Sequence, residues 1–256
     1  SKAQENNRTS SHFEAAPRGL SFSFFSPPMP PALETKEIHF MFKKTLIALG
    51  LSMFAAVTMA ATEGTDYVKL EKPYAYGEGK LTKIFSYDCP FCYKYDVGVD
   101  PKVLPRIEKE TGLKFNPVHL ETKGKYGRAG SEFFAMCMLK DQAAGISIES
   151  KDSLFKKAKD AAYNAYHKKG ERWTKGEEAF VKTLTDATGI SAEEFARERR
   201  TKAVQQLSDA WKVSYDVAKI QGIPAFVING RYLVLNKSLR NAESLKRLMV
   251  ALARMP

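Results

Sequence analysis

The apolar positions of residues 61–256 change their period twice along the chain. Tyr67-Val68-Lys69-Leu70 alternates and predicts a short strand, and the Gly- and Pro-containing stretch 71–79 predicts a turn. Residues 81–87 form a stronger strand, followed by a helix that carries Tyr93 and Tyr95 and weakens at Gly98. Asp100-Pro101 predicts a second helical start. Asp100 suits the N-cap, where a carboxylate accepts from free N–H groups, and Pro101 suits N1, where no N–H is needed. Val103, Leu104 and Ile107 supply that helix's apolar face. Residues 113–120 predict another strand, and Pro117 assigns it to an edge or a bulge because proline cannot donate to a ladder.

From residue 125 to residue 215 the strand signal disappears. Helical spacing covers 132–139, 154–166, 177–184 and 192–196, and 201–217 is expected to be the longest helix of the block. Ser191-x-x-Glu194 predicts a capping box, and Gly170, Gly176 and Gly189 separate the segments. Strands then return. Residues 225–228 and 231–235 flank Asn229-Gly230, which predicts a hairpin with a two-residue type I′ turn. Residues 241–253 predict an amphipathic helix with Leu245, Leu248, Met249 and Leu252 on one face. This order gives an α/β fold class: a small mixed sheet formed by 61–124 and 216–256, interrupted by a helical insertion at 125–215.

Residues 1–60 follow different rules. Residues 1–40 mix Asn, Ser and Pro without periodicity and are expected to be unstructured or untranslated. Lys36-Glu37 can be encoded by a purine-rich ribosome-binding sequence three codons before Met41, which would place the true start there. Residues 41–60 then form a signal peptide: a basic Met41-Phe42-Lys43-Lys44, an apolar run over 45–57, and small residues at Thr58 and Ala60. The apolar run is short for a bilayer span, so the mature chain is expected to begin at Ala61.

Charge narrows the partners. Residues 1–60 contain six Lys and Arg and four acidic residues, so 61–256 carry 34 basic and 25 acidic side chains, net +9. Such an excess favours acidic surfaces. Nucleic acid is not expected, because no recognition motif accompanies the charge.

The chemistry converges on Cys89-Pro90-Phe91-Cys92 at the junction of the second strand and its helix. A helix N-terminus presents unpaired N–H groups and a partial positive charge, which stabilise a thiolate on Cys89. Pro90 fits the first turn, and Cys92, three residues on, shares the same face. Half of a zinc site and a structural disulfide are the competing accounts. The first lacks a second ligand pair, since only Cys137 remains, with His119 and His167 scattered and without ligand spacing. The second gains little, since a four-residue ring removes little unfolded-state entropy. A redox dithiol is the preferred reading.

Three features together resemble the DsbA family of bacterial periplasmic thiol:disulfide oxidases: residues 85–93, the helical block, and Gly222-Ile223-Pro224 leading into 225–230. The similarity spans nearly all of 61–256, and the basic charge and Phe91 are most like its DsbL branch. It implies a thioredoxin fold with an inserted all-helical domain, Cys89 and Cys92 as catalytic residues, and a periplasmic, monomeric protein. It implies a cis Ile223–Pro224 bond beside the dithiol, where Pro90, Phe91, Ile223 and Pro224 would meet an extended substrate. Reduced exported proteins are the implied substrates, an arylsulfate sulfotransferase among them, with a quinone-linked membrane oxidase of the DsbB or DsbI type as recharging partner. No cofactor and no metal are implied. Asp96 and Lys114 match a family pair below the dithiol, for which proton handling at Cys92 and an ordinary ion pair are both open readings. The general oxidase has His where this chain has Phe91, so thiolate stabilisation must come from the helix terminus and basic neighbours such as Lys94. An isomerase or reductase, or a non-redox peptide-binding chaperone, are the alternatives in function. Cys137 lies on an apolar helix face and reads as an inert thiol, and His119 has no accompanying nucleophile. The basic stretches 123–128, 168–175 and 197–202 read as solvated surface, one of them a possible docking face.

Overall fold

The computed structural model describes residues 61–256 apart from Ala75 and Leu239, so the expectations for 1–60 lie outside the described residues. Five strands form one sheet in the order β1-β5-β4-β2-β3. They are β1 (Tyr67–Lys69), β2 (Lys80–Phe85), β3 (Lys114–His119), β4 (Ala225–Ile228) and β5 (Tyr232–Val234). β2 and β3 run parallel and the other neighbours antiparallel. β3, with Pro117, is an edge strand.

β2 lies inside the sheet, and every residue from Leu81 to Phe85 is buried, as a strand covered on both faces requires. Alternation in β4 and β5 sends Phe226, Ile228 and Val234 to one face and Ala225, Val227 and Leu233 to the other. Helices α2 (Asp100–Thr111) and α9 (Ala242–Ala253) cover the first face with Val103, Leu104, Ile107, Leu245, Met249 and Leu252. Each such side chain contributes about 1.5–3 kcal/mol on burial. In α9, Val250 is buried and Leu248 is half-buried, so the apolar face is turned slightly from the expected one.

The other face is covered by the chain between β3 and β4. It contains α3 (Gly127–Ala143), α4 (Leu154–Tyr163), α5 (Glu177–Thr188), α6 (Ala192–Glu198), α7 (Lys202–Ala210) and α8 (Ser214–Gln221). α3 is the longest of them at 17 residues and carries Phe133, Phe134, Met136 and Cys137 into the core. The single long helix expected over 201–217 is three pieces: α7, a 3₁₀ turn at Trp211–Val213, and α8. The tighter turn shifts the register so that Trp211 and Val217 are both buried.

Three local devices differ from expectation. Asp100 does not cap α2; Val99 holds the N-cap without a side-chain bond, and the Asp100 carboxylate goes to Lys83 instead. Ser191 caps α6 by accepting the Glu194 N–H at 3.0 Å, but the Glu194 carboxylate binds Lys140 at 2.6 Å rather than closing a box. The hairpin has Asn229 and Gly230 at φ of 51° and 66°, as a type I′ turn needs, yet the ladder resumes at Tyr232 opposite Ile228. Arg231 closes the turn, its N–H donating to the Ile228 carbonyl at 3.0 Å while its own carbonyl accepts from Leu70 N–H at 2.8 Å on the β1 side. Gly230 also lies against Gly77 so closely that a Cβ on Gly77 would sit 2.5 Å from the Gly230 Cα, so both positions exclude a side chain. Among the described residues no helix is long and apolar enough to cross a membrane.

Candidate functional site

The dithiol sits where β2 ends and α1 (Pro90–Gly98) begins. Ser86 pins the connecting turn: its carbonyl accepts the Cys89 N–H at 3.1 Å, and its hydroxyl donates to Asp88 at 2.8 Å. Tyr87 is buried, and its hydroxyl accepts the Tyr126 N–H at 2.8 Å. Gly124, at φ +84°, leaves room for that ring; a Cβ there would lie 2.7 Å from it. Cys89 is the N-cap of α1 and Pro90 opens its first turn. The Cys92 N–H donates to Cys89 Sγ at 3.1 Å, so a sulfur takes the place that a serine or aspartate oxygen fills at ordinary helix starts. Both sulfurs are free thiols in this structure.

The two thiols are pushed apart in acidity. The Cys92 thiol donates to Cys89, and together with the N–H groups of Cys92 and Phe91 and the charge of Lys123 it holds Cys89 down at about 7, against the opposing effect of burial. Burial and the Cys89 thiolate push Cys92 far up, with Lys83 pulling it back. The basic residue acting on Cys89 is therefore Lys123 rather than Lys94, whose ammonium lies 5.6 Å from the centre of the Phe91 ring.

Around Cys89 opens a groove of about 450 Å³, lined by Pro90, Phe91, Leu120, Tyr215, Ala218 and Ile223, with Lys123 and Lys219 beside them. Phe91 is 63% exposed. The Ile223–Pro224 bond is cis, and the Cys89 thiol donates to the Ile223 carbonyl at 3.5 Å. The structure thus brings Cys89, Pro90, Phe91 and Ile223 together at one opening.

Asp96 and Lys114 are not brought together. Lys114 is exposed at the first residue of β3, opposite Lys80, whereas the dithiol lies beyond the last residue of the parallel neighbour β2. A six-residue strand separates those two ends by roughly 16 Å. Asp96 instead binds Lys159 of α4 at 2.6 Å through both oxygens, and Lys159 reaches Asp160 at 2.8 Å. The charged pair below Cys92 is Lys83 with Asp100, both buried. Burial alone would lower the Lys83 pKa, but Asp100 and Asp96 raise it above its ordinary value, so the ammonium stays charged. Sequence reasoning missed Lys83, although a lysine inside the apolar run Leu81-Thr82-Lys83-Ile84-Phe85 was a usable signal. It also missed Lys219 and Tyr215, which come from a distant segment, while Lys123 belongs to the basic stretch 123–128 expected as solvated surface or a docking face.

His119 and Cys137 lie away from the opening. His119 is fully buried, stacks on Tyr87 at 5.6 Å, contacts Ser131 Oγ at 2.8 Å, and burial lowers its pKa to about 3. Burial raises the Cys137 thiol. Among the described residues no group of three or more His, Cys, Asp and Glu is placed to hold a metal ion.

No protein-family model matches the chain. The thiol:disulfide interchange protein DsbL of Lelliottia amnigena is 47% identical over 224 residues, which is 86% of this chain and 99% of that protein. DsbA of Yersinia pestis is 26% identical over 196 residues, 76% of this chain and 86% of that one. Crystal-structure neighbours include DsbL of Salmonella enterica serovar Typhimurium, with a TM-score of 0.70 at 48% identity over 76% of this chain and 98% of that one. DsbA of Proteus mirabilis shares the fold, with a TM-score of 0.56 at 23% identity over 75% of this chain and 94% of that one. The fold is thus a thioredoxin fold with a helical insertion, and the protein is a thiol:disulfide oxidoreductase that exchanges disulfides with substrate proteins and a redox partner. The chain belongs to the DsbA family of thiol:disulfide interchange proteins, in its DsbL branch.

Proposed function

We propose that Cys89 and Cys92 are the exchanging pair and that the protein works in the periplasm as a dithiol oxidase. The observation that carries this is the Cys89 sulfur at the N-cap of α1, accepting the Cys92 N–H at 3.1 Å and held near neutrality in acidity. In the oxidised enzyme a substrate thiolate attacks Cys89 and forms a mixed disulfide, expelling Cys92 as thiolate, which takes up a proton. A second substrate thiolate attacks the substrate sulfur of that bond, closes the substrate disulfide and releases Cys89 as thiolate. One S–S bond is thereby broken in the enzyme and one formed in the substrate, and two electrons pass from substrate to enzyme. The enzyme ends reduced, with its stabilised thiolate as the better leaving group.

Ile223 lies at the groove lip with its carbonyl toward Cys89, and its backbone suits pairing with an extended substrate segment. Exposed Phe91 and half-exposed Tyr215 offer apolar contacts. Lys123 and Lys219 favour acidic flanks, so we assign a narrow substrate range with an acidic exported enzyme such as an arylsulfate sulfotransferase preferred. A quinone-linked membrane oxidase of the DsbB or DsbI type would return the disulfide, and the enzyme would act as a monomer after loss of a signal peptide. Asp96, held by Lys159 and acting on Lys83, contributes to the field below Cys92.

Paired denaturant melts test the oxidase reading. The reduced protein should have the higher midpoint, because the disulfide forfeits the Cys89 thiolate and its N–H bonds. An oxidised form with the higher midpoint and equal slope would sink it. Oxidation rates for an acidic and a neutral substrate across a salt series test the preference: only the acidic substrate should slow as salt screens beyond about 8 Å at physiological strength.

A further inference from the structure

The helical insertion grips the redox turn through one imidazole. At the end of α4 the backbone widens into a π turn, Asn164–Lys168, a geometry that shifts side chains out of helical register. It delivers His167 to both ends of the dithiol segment. His167 Nε2 lies 2.9 Å from the carbonyl oxygen of Tyr87, two residues before Cys89. A carbonyl only accepts, so Nε2 carries the proton. The same ring stacks on Tyr93, the residue after Cys92, with centroids 4.8 Å apart and planes 5° from parallel. Tyr166 and Tyr163 close around it at 4.9 and 5.8 Å.

We propose that His167 is a positioning residue for the dithiol, its hydrogen bond to the Tyr87 carbonyl and its stack on Tyr93 holding the turn so that the Cys92 N–H stays aimed at Cys89 Sγ. The thiolate is stabilised by a donor that must stay at 3.1 Å, and a hydrogen bond weakens steeply as its angle opens. Donation from Nε2 also engages the negative end of the Tyr87 carbonyl, two residues before Cys89. Burial, with Arg172 nearby, lowers the imidazole's pKa against the opposing pull of the Tyr87 carbonyl and Asp88, and Nε2 donates to the carbonyl whether the ring is neutral or charged. The inserted helices thus tune the redox centre as well as covering the sheet. The inference rests on Cys89 being the exchanging thiol.

Two substitutions separate the hydrogen bond from the ring. His167→Phe keeps an aromatic ring and removes the donor; His167→Gln keeps a donor amide near the Nε2 position. The readouts are Cys89 alkylation rate against pH on the reduced protein and the equilibrium with glutathione. His167→Phe should raise the Cys89 pKa by about one unit, a roughly tenfold loss of thiolate at acidic pH, and shift the glutathione equilibrium toward oxidised enzyme, about twofold at pH 7 and approaching tenfold at about pH 9. His167→Gln should restore most of both. Denaturant midpoints measured alongside show whether stability moves independently. Wild-type thiolate fraction and equilibrium in His167→Phe would overturn the inference whatever its stability, as would a Gln variant no better than the Phe variant. Should His167→Phe fail to fold, Tyr93→Leu removes the stack alone and the same two readouts decide. An ordinary Cys89 pKa in the unsubstituted protein would overturn the assignment of Cys89 itself, and with it the inference.

Discussion

Three thiols are almost equally inaccessible in this protein, yet the first turn of α1 and the middle of α3 treat them differently. Cys89 is 2% exposed and Cys137 0%. Cys89 sits where a helix begins and its N–H groups have no carbonyl partners, so its sulfur gains donors. Cys137 sits where every N–H is already used, among Phe133, Phe134 and Met136, so burial dominates, with Asp141 adding to it and Lys140 opposing. Low exposure is common to both regions; the supply of donors is not. Reactivity follows the donors.

The sharpest way to break this comparison is to remove each sulfur. Cys89→Ser should lower the oxidation rate of a dithiol peptide by roughly a thousandfold or more, since the covalent step loses its acceptor sulfur. Cys137→Ala should stay within about twofold of the parent rate, as expected of a thiol without activating neighbours. Comparable losses in the two variants would end the distinction.

The base of α1's first turn sharpens it further, because there the donor is a buried ammonium. Asp100→Asn leaves Lys83 without its partner and should cost about 3–5 kcal/mol in urea unfolding. Replacing Lys83 and Asp100 together by Met and Leu should recover most of that loss. If the single and double variants are equally unstable, the pair's packing rather than its charge is what matters.

A third test uses pH. Cys89 is lowered from 9.0 to about 7 on folding, so ionisation stabilises the reduced form fully above pH 9. That contribution disappears as pH falls through 7, and it amounts to at most about 3 kcal/mol. Cys137, raised by burial, has the opposite sign: it costs stability above the unfolded thiol's pKa. Denaturant midpoints of reduced protein from pH 6 to 9 should therefore rise, and Cys89→Ala should flatten or reverse the slope.

The smallest expected effect is at the rim. Lys123→Gln should raise the Cys89 pKa by a few tenths of a unit at low salt and less at high salt, because the lysine is exposed and its field is screened. Thiolate absorbance across a salt series measures it. A shift as large as that of His167→Phe would move the main cause of the low pKa from the helix start to the surface.

Residues 81–93 show why the dithiol was legible in the chain. A strand, a proline at the first helical position and two cysteines three apart are local features, and local geometry decides where the N–H groups point. The hairpin's Asn229-Gly230 was legible for the same reason, since left-handed backbone is a property of two residues. Asp100 was misplaced because capping is only one use for an aspartate at a helix start. The choice between the Val103 N–H and Lys83 depends on what the sheet puts underneath. Asp96 and Lys114 were paired by family likeness, but the parallel register of β2 and β3 puts Lys114 at the far end of the sheet.

By itself, then, the chain determined its periods, its helix starts and its Cys-x-x-Cys, all of which depend on residues within a few positions of one another. Only the tertiary structure decided which lysine meets Cys92, which carbonyl meets Cys89 and which histidine holds the turn. Lys83, Ile223 and His167 lie far from the dithiol in sequence or on another element. Their contacts follow from strand order and from helices covering a sheet, and those are settled by burying apolar area, a quantity with no local sequence signature.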